Sequence, residues 1–172
     1  AVRGHDRAPG LAARPARPGR TRVLTPTKHG AKKLHKQRNA SGGPRVELHG
    51  NLSQNARTRN RDAFQSGAAN TLVATDIAAR GIHVDDVALV IHADPPVEHK
   101  AYLHRSGRTA RAGAEGTVIT LMTDDQVADV RDLTRKAGIK ATTTRVDANH
   151  PLPRQLAPGE RTFTEPHVLA NA

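Results

Sequence analysis

A chain of 172 residues suffices for one domain, and a domain near that size hides roughly 70% of its unfolded-chain surface. Cysteine is absent, aromatics are 2%, and no run approaches 18 apolar residues. Disulfides, thiolate metal sites, a Cys nucleophile and a membrane span are therefore excluded, and the core is expected to be aliphatic. The net charge of +11 is concentrated: residues 1–45 carry twelve Lys/Arg against Asp6 alone, while residues 46–172 carry fifteen of each sign. Such an arm binds polyanions through counterion release and says nothing of what the rest of the chain recognises.

Residues 1–20 lack apolar periodicity and contain Pro9, Pro15 and Pro18, so a disordered basic arm is expected. Arg22–Thr25 reads as a strand. A helix follows over 27–39, with Thr27 as N-cap and Ala31, Leu34 and Gln37 on one face. Arg45–Leu48 is a strand, and Ser53 caps a second helix that reaches Phe64 and ends at Gly67. Thr71–Ala74 and Val87–Ile91 are continuous apolar runs, the mark of strands buried on both faces of a parallel sheet. Val97–Ser106 predicts a helix, Thr117–Met122 a strand, Gln126–Ala137 a helix and Thr142–Val146 a last strand. Pro151, Pro153, Pro158 and Pro166 make the end an extended tail. The chain thus divides into an arm over 1–20, a domain over 21–147 and a tail over 148–172. Alternating strands and helices predict an α/β fold with a mostly parallel sheet flanked by helices, and ligands collect beyond the strands' carboxyl ends.

Three clusters occupy such loops. Thr75-Asp-Ile-Ala-Ala-Arg-Gly-Ile-His83 is polar, charged and Gly-containing between two buried strands, which suits a polyanion contact at Thr75 and Gly81. Its plain alternative is a crossover in which Asp76 caps a turn and pairs with Arg80. His104-Arg-Ser-Gly-Arg-Thr-Ala-Arg-Ala-Gly113 spaces Arg105, Arg108 and Arg111 three apart. A helical turn would group these guanidinium forks toward phosphate oxygens, or they form a solvated basic face. His49-Gly-Asn-Leu-Ser-Gln-Asn-Ala-Arg57 is a Gly turn at a helix N-terminus, able to meet a phosphate or simply well capped.

Other chemistry is not supported. His99 and His104 stand about 140° apart around a helix, so they do not share a metal. Asp85-Asp86 and Asp124-Asp125 fit turn and cap positions. Neither G-x-S-x-G nor the phosphate-cradling G-x-x-x-x-G-K-[ST] occurs.

Together the clusters resemble the C-terminal RecA-like lobe of DEAD-box ATP-dependent RNA helicases, over roughly Pro18 to Asn149. Thr75–His83 looks like motif V, His104–Gly113 like motif VI, His49–Arg57 like the Q-x-x-R segment and Arg22–Gly30 like motif IV. The resemblance implies that Arg108 and Arg111 are arginine fingers for the ATP γ-phosphate, and that His104 couples two lobes. It implies that Gly81 and the position of His83 contact the nucleotide, chiefly its ribose. Thr75, Gly50, Gln54 and Arg57 match or neighbour the RNA-backbone surface. Three departures stand out: His83 replaces a usual Asp, Leu24 replaces an aromatic, and Pro26 sits where a basic residue is common. The P-loop and the acidic Mg²⁺ motif belong to an N-terminal lobe not contained in this sequence. The expectation is therefore half of a cytoplasmic RNA helicase, with RNA, ATP and that lobe as partners. A stand-alone RNA-binding or regulatory module without turnover is the alternative, and a basic architectural protein is a third class.

Overall fold

The apolar runs read from the sequence lie in the interior of the sheet. A computed structural model describes residues 2–4, 19–36, 44–84, 87–106, 116–146 and 151. Its strands are Val2–Gly4 (β1), Arg20–Thr25 (β2), Arg45–Leu48 (β3), Thr71–Thr75 (β4), Val87–His92 (β5), Thr117–Thr120 (β6) and Ala141–Thr143 (β7). The helices are Lys28–Lys36 (α1), Gln54–Ser66 (α2), Asp76–Ala79 (α3), His99–Ser106 (α4) and Val127–Lys136 (α5), with a 3-10 turn at Asp124–Gln126. The sheet order is β3-β4-β2-β5-β6-β1-β7. The first five strands are parallel, as the alternation of strands and helices predicts. Their register sets Thr25 beside Thr75, Leu48 beside Ala74 and Leu24 beside His92, so their carboxyl ends share one edge.

Local signals explain the elements. Thr27 Oγ1 accepts from the Gly30 N–H at 3.0 Å and opens α1, and Ser53 Oγ accepts from the Ala56 N–H at 3.3 Å and opens α2. Gly67, with φ of +85°, ends α2. Gly30 is dictated by proximity, since a Cβ there would lie 2.5 Å from Thr25 Oγ1. The core joins Leu24, Leu48, Leu72, Ala74, Ile82, Val90 and Val118 to Phe64. It is aliphatic in the main, yet Phe64 and Tyr102 are fully buried within the fold.

Several boundaries differ from the sequence reading. Within the arm, Val2–Gly4 forms a strand between β6 and β7, antiparallel to both, and Arg20 already belongs to β2. A three-residue strand needs only backbone pairing, so it leaves no periodicity to read. Gln37, the tail apart from Pro151 and the other arm residues apart from Gly19 lie outside the described residues. The fourth helix starts at His99 rather than Val97, which lies in a bend after Pro95 and Pro96 and is 94% exposed. Asp124 opens the 3-10 turn and pairs with Arg145.

Candidate functional site

Thr75 ends β4 and caps α3, its Oγ1 accepting from the Ala78 N–H at 3.4 Å. The next residue carries the main electrostatic link of the region. Asp76 does not pair with Arg80, which is exposed; it pairs with Arg105 on α4. Arg105 Nε donates to Asp76 Oδ1 at 2.5 Å, Nη2 donates to Oδ2, and Nη1 donates to the Asp94 carbonyl at 3.0 Å. A planar fork meeting a carboxylate in this bidentate way fixes both orientation and distance. Arg105 is therefore turned inward, 4% exposed, and is no member of a solvated basic face. The pair ties the Thr75–His83 segment to the helix that leads into the arginine-rich segment.

Beyond α3, Gly81 takes the left-handed region at φ of +79°, and among the described residues no atom beyond its two chain neighbours lies within 4 Å of where a Cβ would stand. Gly81 and His83 are exposed, whereas Ile82 between them is buried. His104 is exposed on α4. Arg108 and Arg111 lie outside the described residues. At the neighbouring strand end, buried His49 links its Nε2 to Glu47 Oε2 at 3.2 Å, and its Nδ1 accepts from the Asn51 N–H at 3.3 Å. This holds the turn at Gly50. Gln54 starts α2 exposed, with Arg57 half-buried one turn on. Lys28 Nζ donates to Asn51 Oδ1 at 3.2 Å, adding a cation from the start of α1. Gly50, Gln54 and Thr75 thus belong to the carboxyl ends of adjacent parallel strands.

A residue that the sequence did not single out feels the charge of Arg105. His92 is wholly buried at the end of β5, with Nδ1 3.0 Å from Thr120 Oγ1 and its ring edge-on to Tyr102 at 5.1 Å. Burial, and then the Arg105 charge, lower its pKa from 6.5 to about 3. Burial also pushes the Tyr102 hydroxyl upward. The unfolded chain takes up a proton on His92 near pH 6.5, whereas the folded chain resists until about pH 3. Stability from this group is complete above 6.5 and is lost as the pH falls toward 3. Moving from pH 7 to pH 5 should cost about 2 kcal/mol through this histidine. Denaturant unfolding of His92→Gln should show a correspondingly flatter pH dependence than the parent; an unchanged slope would contradict this.

Comparison with known proteins follows the same segments. The family model for the helicase conserved C-terminal domain matches residues 10–113. DEAD-box ATP-dependent RNA helicase 53 of Oryza sativa subsp. japonica is 44% identical over 124 residues, which cover 72% of this chain and 20% of that protein. The chain thus spans about a fifth of the length of this relative. Among solved structures, the E. coli DEAD-box protein SrmB bound to regulator of ribonuclease activity A superposes with a TM-score of 0.59 at 34% identity, covering 69% of each chain. S. cerevisiae Dbp5 bound to RNA and ADP BeF3 superposes with a TM-score of 0.66 at 27% identity, covering 80% of this chain and 37% of that one.

Proposed function

Because this chain belongs to the helicase conserved C-terminal domain family, in its DEAD-box branch, we propose that it serves as the C-terminal lobe of a cytoplasmic ATP-dependent RNA helicase. The observation that carries the reading is the Asp76–Arg105 pair. It gives one anchor to two segments with complementary tasks. Thr75–His83 meets RNA and the nucleotide, and the segment after α4 brings Arg108 and Arg111 to the γ-phosphate. The Dbp5 relative, solved with RNA and ADP BeF3, supports both ligands for a lobe of this kind.

The residues present fit part of a nucleotide site. Among the described residues the space beside Gly81 is open to close approach, and the exposed His83 ring offers a hydrogen bond to a ribose hydroxyl. ATP supplies the phosphoryl group whose transfer to water powers the cycle. Arg108 and Arg111 present planar forks to its developing charge, and His104 couples the two lobes. Among the described residues no His, Asp and Glu group suits a metal, and Mg²⁺ belongs with the companion lobe in this reading. Gly50, Gln54, Arg57 and Thr75 hold RNA by phosphates and sugars. That mode is sequence-independent and matches a chain with 2% aromatics and little means of base stacking.

Phosphoryl transfer needs a phosphate cradle, and no P-loop sequence occurs in the 172 residues. The purified chain, given Mg²⁺, ATP and single-stranded RNA, should bind RNA in a salt-dependent manner without hydrolysing ATP. RNA-stimulated turnover by this chain alone, with contaminants excluded, would overturn the proposed division between two lobes.

A further inference from the structure

A charged side chain stands in the middle of the sheet where an aliphatic one would pack. Arg22 in β2 is 1% exposed, on the same strand face as Leu24. Its guanidinium carbon lies 5.6 Å from the centre of the Phe64 ring, and its Nη2 donates to the Ile82 carbonyl at 2.8 Å. Burial of a guanidinium is costly, and here stacking over Phe64 and the Nη2 bond to the Ile82 carbonyl offset part of that cost. The bond spans 60 residues of sequence and ends between Gly81 and His83. In a trans peptide the N–H of the following residue points opposite to the carbonyl. Holding the Ile82 carbonyl inward therefore turns the His83 N–H outward, where the His83 side chain is exposed.

We propose that Arg22 is the positioning residue of the Gly81–His83 segment, fixing from the sheet the backbone that faces the nucleotide. The inference rests on the nucleotide reading of Gly81 and His83 given above. Arg22 touches no ligand; it acts through the Ile82 carbonyl, which is buried and would otherwise lack this donor.

Hydrogen exchange on the full chain reads the tie without nucleotide. Arg22→Met keeps length and apolar packing but removes the donor, so global melting should change little. Exchange at residues 81–84 should rise by about tenfold or more, the size of a lost charge-assisted bond, while β4 and β5 keep their protection. Arg22→Lys, which retains a donor, should restore part of the difference. If Arg22→Met does not fold, Arg22→Leu carries the same donor-free comparison. When the chain is joined to an N-terminal lobe, the KM for ATP should rise more than kcat falls. Unchanged exchange at 81–84 would overturn the tie. Faster exchange with an unchanged KM would overturn the positioning role. Absence of turnover in the unmodified joined chain would instead contradict the helicase reading, with exchange still deciding whether Arg22 holds the segment.

Discussion

Arg108→Lys or Arg111→Lys, in a chain joined to an N-terminal DEAD-box lobe, is expected to lower RNA-stimulated ATP turnover by about 10³–10⁵. Folding and basal RNA binding should stay nearly unchanged. Lysine keeps the charge but loses the planar fork that meets two phosphate oxygens at once. The expected loss corresponds to roughly 4–7 kcal/mol of barrier, against ~0–1 for a surface ion pair, so steady-state kinetics separates a finger from a solvated basic face. Arg105 does not serve as the neutral neighbour in this comparison, because its fork is already committed to Asp76. Exposed Lys100 on α4 is the better control, and Lys100→Ala should leave turnover within a few-fold. Turnover of both arginine variants within a few-fold of the parent would show that the segment is only a basic surface.

The second large effect concerns stability. Asp76→Ala strips the carboxylate from Arg105 and leaves a guanidinium, 4% exposed, that still donates to the Asp94 carbonyl. An uncompensated buried charge is the costly half of a broken pair. Asp76 itself is 31% exposed, so the loss should fall at the lower end of the buried range, about 3 kcal/mol. Arg105→Met should cost less, since the Asp76 carboxylate it leaves behind reaches water. This asymmetry is the test. Thermal or denaturant unfolding that shows both variants within about 0.5 kcal/mol of the parent would contradict a structural role for the pair.

The parallel sheet was legible because Leu72-Val-Ala74 and Val87-Ala-Leu-Val-Ile91 leave no polar face for solvent. The starts of α1 and α2 were legible because Thr27 and Ser53 are local caps whose partners lie three residues away. The links that organise the site are of another kind. Asp76 finds Arg105 across 29 residues, although Arg80 is far nearer in sequence. Spacing within the arginine-rich segment does not reveal which guanidinium turns inward, because that depends on how α4 packs beside β5. Arg22 in a four-residue reading of its strand resembles a surface cation; its burial depends on the Phe64 ring supplied by α2. His92 likewise reads as the polar end of a buried strand, and only Thr120 and Tyr102 from later elements explain its place. Local signals settled elements, while side-chain contacts distant in sequence settled how the loops are held.

The most direct measurement of the central claim is ATP turnover after this chain is fused to an N-terminal lobe carrying a P-loop. The fusion, that lobe alone and this chain alone are compared with and without single-stranded RNA. The account predicts RNA-stimulated turnover in the fusion well above the sum of the separate parts, because it assigns the fingers Arg108 and Arg111 and the RNA contacts at Gly50, Gln54, Arg57 and Thr75 to this chain as proposals. A fusion no more active than the N-terminal lobe alone, with both halves folded, would contradict it.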